Sequence, residues 1–309
     1  TLSNSKGRLV ASVGAVIKDQ SGIPMEVITR AYRERHSVLT LMRQLNRLVN
    51  AIQIHRGVSL AHLAGDGSFT DDVTHVQSHV NQRLRVLNTS IEFFEALVPP
   101  QEQENIQHSW NTVCHDWEGD ALLENFEYHS FLIEQLLQLS AGLGRRLDEP
   151  LGGGTEVLAR SNSDDPVLDL VCRKVPELIE HLARIRGLAT HAAVVGVCDE
   201  DHQKKLQYWL QCVERQNREL IQAIDRLEPR IKNHWRSLAE LKNYELKLAF
   251  FVNTVAKDLV QGAGKKSDAR QLFTLGSEII DAYVEGVDGG IALLHDRLEG
   301  ELEAWLLEG

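Results

Sequence analysis

Paired cysteines are missing from this sequence. Cys114, Cys172, Cys198 and Cys212 are scattered and form no Cys-x-x-Cys pair. That excludes a disulfide framework and a thiolate zinc site, and it points to reduced, buried thiols. No run approaches the ~18–20 apolar residues that span a membrane. The stretch Val10–Ile17 is too short, and no cleavage-like site follows it, so no secretory signal is read. Proline is scarce, at 7 residues, and aromatics make up only 6%; this balance favours helix over sheet. Basic residues are outnumbered 33 to 44, for a net charge of −11. A field of that sign opposes direct nucleic-acid binding and anionic membrane surfaces. An anion site in such a chain needs local positive charge and dehydration.

Catalytic signatures are absent too. There is no nucleophile motif, dinucleotide fingerprint or phosphate-cradling loop. Gly152-Gly153-Gly154 lacks the lysine and the preceding strand of a P-loop and reads as a linker. His75 and His79 share a helical face but lack a third ligand. Glu124 with His129, and Glu177 with His181, miss the Glu-x-x-His spacing of a di-iron bundle. The expectation is a non-enzymatic, cytoplasmic protein without metal or cofactor.

What is present is helical periodicity. One long helix is expected over 31–63, with Leu45, Leu48, Val49, Ile52, Leu60 and Leu63 on one stripe. Gly65-Asp66-Gly67 ends it. Further helices are expected to about Leu97, over 102–117 and over 120–143. Gly144 to Pro166 is the clearest boundary, closing on an Asp-Pro helix start. Beyond it, helices are expected over 166–195, 201–227, 229–261 and 267–307. The domain reading is a lead-in at 1–30, a first bundle repeat at 31–144, a linker at 145–165 and a second repeat at 166–309.

The two halves echo each other. Arg56-Gly57-Val58-Ser59 matches Arg186-Gly187-Leu188-Ala189. Trp117 followed by Asn125-Phe126-Glu127 matches Trp235 followed by Asn243-Tyr244-Glu245 at identical internal spacing. Both arginines fall on core-facing stripes, where a guanidinium needs a partner. It pairs bidentately with planar oxyanions, so two arginines from facing helices could clamp nitrate or nitrite. The glycine after each arginine allows close approach. The competing reading is a helical scaffold or adaptor whose arginines are internal ion pairs, with Glu127 and Glu245 as neutralising carboxylates. His55 and His191 flank the arginine helices and are candidates for lining the cavity.

The segment Leu48-Val49-Asn50-Ala51-Ile52-Gln53-Ile54-His55-Arg56-Gly57-Val58-Ser59 resembles the opening helix of the nitrate- and nitrite-sensing domain family, Leu-Gln-x-Glu-Arg-Gly-Leu-Ser. The segment Leu182-Ala183-Arg184-Ile185-Arg186-Gly187-Leu188-Ala189 is similar to the family's second arginine helix, and Leu272 to Ala282 resembles its closing helix. His55 stands where the family has glutamate, and Leu182 where it often has glycine.

The resemblance covers about Arg35 to Trp305. It implies an all-α fold of two four-helix bundles joined end to end, an internal duplication. It further implies a sensor that binds nitrate or nitrite through Arg56 and Arg186, with Ser59 and Thr190 as supplementary hydrogen-bonding candidates. The family couples this sensor to an output domain. None follows here, and the chain begins at Thr1 rather than methionine, so the output is expected from a separate partner or from sequence outside this chain. Long bundle helices also make a homodimer plausible.

Overall fold

A computed structural model describes residues 23–94, 96–148, 151, 165–262 and 268–308. The described residues are helical throughout, with no strand among them. Of the expected lead-in 1–30, residues 1–22 lie outside the described residues, as do the triple glycine and Asn162–Asp164; residues 25–30 are not a separate lead-in but the first turns of the long helix that follows.

Helix α1 (Met25–Leu63) is roughly 60 Å long at 1.5 Å per residue. Gly65, at φ 104°, takes the chain out of it in a left-handed turn. Helix α2 (Thr70–Phe93) carries Asp71 and Asp72 in its first turn, where their charge complements the helix dipole. It ends earlier than expected, four residues short of Leu97, and Ala96 then adopts φ 71°. Helix α3 (Pro100–Cys114) begins with proline in its first turn, and α4 (Leu122–Gly144) follows after a short 3-10 turn.

In the second half, Asp165 accepts a hydrogen bond from the Val167 amide and starts a short helix α5 (Pro166–Asp169). A π turn, Leu170–Lys174, leads into α6 (Val175–Val195). Pro176 explains the π turn: it has no N–H for the carbonyl four residues back, and its ring would strike that carbonyl in a tighter turn. Gly196, at φ 79°, closes α6. Helix α7 (Glu200–Arg226) is capped by Asp199.

The expected single helix over 229–261 is broken. It resolves into α8 (Pro229–His234), α9 (Arg236–Ala239), a 3-10 turn, α10 (Glu245–Val255) and a π turn. The break sits at Trp235, which leaves helical geometry (φ −120°, ψ 61°) and buries its indole. The indole N–H donates to the Gly286 carbonyl on the last helix, α11 (Ala269–Glu308).

Helix α1 packs against α2 and α4 of its own half and against α6 and α11 of the other. Helix α6 packs in turn against α7 and α11. One apolar cluster therefore runs through both halves, from Leu45 and Ile52 through Leu136 to Leu182, Ile185 and Ile280. No helix among the described residues is long and apolar enough to cross a membrane.

Candidate functional site

The crossing of α1 and α6 is set by the two glycines. A Cβ on Gly187 would lie 3.7 Å from the Gly57 Cα and 3.3 Å from Leu60 Cδ1. A Cβ on Gly57 would stand 2.7 Å from the Phe273 ring of α11. The glycines bring the α1 and α6 backbones together and seat the Phe273 ring of α11 against them. This close approach is what makes the neighbouring arginines internal: Arg56 is fully buried and Arg186 is 1% exposed.

The two arginines are brought into one buried region but are satisfied very differently. Arg56 Nη1 donates to Glu180 Oε1 at 2.8 Å, and Nη2 donates to Glu180 Oε2 at 3.2 Å. Nη1 also reaches Ser130 Oγ at 2.9 Å, and the guanidinium lies 4.9 Å over the Phe126 ring. Glu180, on α6, accepts two further bonds, from Gln53 Nε2 and Arg184 Nε, both at 2.8 Å. Burial alone would raise the Glu180 pKa; Arg56 and Arg184 outweigh it and hold the carboxyl below its usual range.

Arg186 has no such partner. Nη1 donates to Ser277 Oγ at 3.1 Å, and the guanidinium lies 4.9 Å from the Phe273 ring centre. Nε and Nη2 are buried and meet no hydrogen-bond partner among the described residues. These two N–H groups form one edge of the guanidinium, the side-on fork that fits a planar oxyanion. Burial, and then the charge of Arg56, push the Arg186 pKa down to about 10. Asp281 and Glu180 pull the other way, but Asp281 is exposed and Glu180 is already committed to Arg56. Gly276 permits the arrangement: its missing Cβ would lie 3.2–3.3 Å from the Arg186 stem.

The other expected residues fall out as follows. Ser59 and Thr190 are fully buried, but each donates its hydroxyl proton to the carbonyl four residues back, at 2.6 Å. Those protons are spent on the helix and are not free for an anion. Glu127 and Glu245, the expected neutralising carboxylates, are exposed; the carboxylate on Arg56 is Glu180. His191 is half-buried and edge-on to His202, with ring centres 6.2 Å apart. His79 accepts from Arg83 Nε at the surface. No group of three metal-ligating side chains converges among the described residues.

His55, expected to line the cavity, instead pairs with a second buried histidine, His129. His55 Nδ1 and His129 Nε2 are 2.7 Å apart, and His129 Nδ1 is 2.7 Å from the Asn125 carbonyl oxygen. The carbonyl requires His129 to carry its proton on Nδ1. Its Nε2 then accepts from His55 Nδ1–H, and both rings are neutral. Burial pushes His55 down to about 4, and it pushes His129 well below its usual value, with His55 and Arg56 adding like charge. Above pH 6.5 this pair costs nothing in protonation. As pH falls from 6.5 towards 4 the unfolded chain takes up protons that the folded one refuses. Stability should drop across that window, on the order of 3 kcal/mol for His55 alone. The depressed Glu180 acts in the same direction. Urea midpoints at pH 7.5 and pH 5 check this, and equal midpoints would contradict a neutral buried pair.

No family model and no curated protein matches the chain. Among solved structures, that of the NasR transcription antiterminator is similar, with a TM-score of 0.69 at 15% sequence identity, covering 90% of this chain and 73% of that one. At that identity the likeness establishes a shared all-α fold with a regulatory protein.

Proposed function

We propose that this protein is a signal-input module, not an enzyme, that binds a small planar monoanion of the nitrate or nitrite type. The observation that carries the reading is Arg186: a buried, permanently charged guanidinium whose side-on fork meets no hydrogen-bond partner among the described residues. An unpaired charge in a dry core is strongly disfavoured unless a counter-ion joins it. The fold shared with the NasR transcription antiterminator and the resemblance of the Arg-Gly segments support the same reading. Arg186 is the primary arm and Arg56 the second; Ser59 and Thr190 shape the helix crossing without donating to the anion. Binding at the junction of α1, α6 and α11 would alter how the two halves pack, and that change is what a separate output partner would read.

The alternative of purely internal ion pairing is favoured at Arg56, where Glu180 is bidentate. The same reading fails to account for Arg186.

The test is thermal stability with millimolar nitrate or nitrite, against chloride and sulfate at matched ionic strength. Selective binding to the folded state raises stability by about 2.7 kcal/mol at a hundredfold excess over Kd. The Arg186→Met variant should abolish this response while folding as stably as the wild type without anion, because it removes an uncompensated charge at similar volume. A marked loss of stability in Arg186→Met, with no anion response in the wild type, would instead make Arg186 a structural residue.

A further inference from the structure

We propose that Glu180 is a built-in competing anion: its carboxylate occupies the Arg56 fork in place of a ligand oxyanion and must yield that fork before both arginines can close on one ion. The inference rests on the anion-binding reading above and specifies how that site is regulated.

The geometry carries it. A carboxylate and a nitrite or nitrate ion present the same element, two coplanar oxygens sharing one negative charge. Glu180, itself buried to all but 6%, presents those oxygens to the fully buried Arg56 at 2.8 and 3.2 Å, where two helices of different halves meet. Arg56 and Arg186 lie close enough for their charges to repel, yet of the two only Arg56 is hydrogen-bonded by Glu180. The pair is thus half-compensated, and the Arg186 fork is left without a partner among the described residues. A ligand anion meets Arg186 first and then contends with Glu180 for Arg56.

Glu180 also has somewhere to go. Arg184, one turn along the same helix, already donates Nε to Glu180 Oε1 at 2.8 Å and holds Glu134 at 3.1 Å with Nη2. Arg184 is only partly buried, so Glu180 can rest on Arg184 alone without an isolated charge in the core. Gln53 on α1 is the third partner, at 2.8 Å, and ties the carboxylate to the same helix as Arg56. Transfer of Glu180 from Arg56 to Arg184 therefore loosens a cross-link between α1 and α6. Ligand arrival is thereby converted into a change between the halves.

Calorimetric titration of sodium nitrate into the full chain tests this, using the wild type, Glu180→Gln and Glu180→Asp. Glu180→Gln removes the competing charge and should tighten binding on the order of tenfold or more. Glu180→Asp keeps the charge but withdraws it from Arg56, so its affinity should fall between the other two. The aspartate variant separates competition for the fork from a general change of field, and it stands if the glutamine variant does not fold. Nitrate binding to the wild type with unchanged or weaker affinity in both variants would overturn the competition while leaving the sensor reading intact. Nitrate binding to none of the three would overturn both.

Discussion

Replacing Arg56 with methionine is expected to destabilise the fold by about 3 kcal/mol, the low end for a broken buried pair, because Glu180 loses its bidentate partner and keeps Gln53 and the partly exposed Arg184. The size follows from what is left behind rather than from what the ion pair contributes. An intact buried pair offsets its desolvation penalty only roughly, and a buried carboxylate left with one partly exposed arginine is offset less. The double variant Arg56→Met with Glu180→Met should accordingly recover most of the loss, since two apolar side chains of similar length replace two charges at one site. Guanidinium denaturation of the four proteins of the cycle gives the coupling directly. Additive losses in the double variant would mean that the two side chains act independently. Arg186→Met offers the contrast: an arginine equally buried but without a bidentate carboxylate, and expected to cost little. Two matched Arg-Gly sites thus predict opposite mutational outcomes.

That contrast was invisible in the one-dimensional pattern. Helix stripes, glycine ends and Asp-Pro starts are local, so the long helices were legible from periodicity and capping alone. The Arg-Gly pairs were legible as a recurring oddity in apolar helices. What periodicity could not supply was the partner across the crossing. Glu180 is a lone acidic residue inside the segment Leu178-Ile179-Glu180-His181-Leu182, within a helix buried on nearly all sides. That setting, together with Arg184 four residues on, was the available signal. Glu127 and Glu245 stand out in the sequence because they recur in the repeat, yet both are exposed. The histidine pair was hidden for the same reason. His55 and His129 meet only because α1 and α4 pack together, and each alone looks like an ordinary surface or packing histidine.

The tryptophan repeat carries the other large expectation. Trp235→Ala should cost about 3–5 kcal/mol. It would empty a fully buried indole site and leave the Gly286 carbonyl without its donor. Trp117→Ala should cost roughly 1–2 kcal/mol, because Trp117 is only half-buried and leans on His62 at 5.1 Å between ring centres. The matched residues in sequence are therefore unequal in energy. The reason lies on α11, where Gly289 and Gly290 form a shelf for the Trp235 ring. A Cβ on Gly290 would come within 2.5 Å of Trp235 Cζ2 and 2.3 Å of Val171 Cγ2. In the wild type, Gly290→Ala should thus overpack by about 1–3 kcal/mol. In the Trp235→Ala background most of that penalty should vanish, because the added methyl enters space the indole has vacated and only Val171 must shift. A cycle of these two changes, read by urea denaturation, should show strong coupling at a contact linking the broken α8–α9 segment to α11. Equal losses for Trp117→Ala and Trp235→Ala, with no coupling to Gly290, would mean that the indole is not the wedge that breaks this helix.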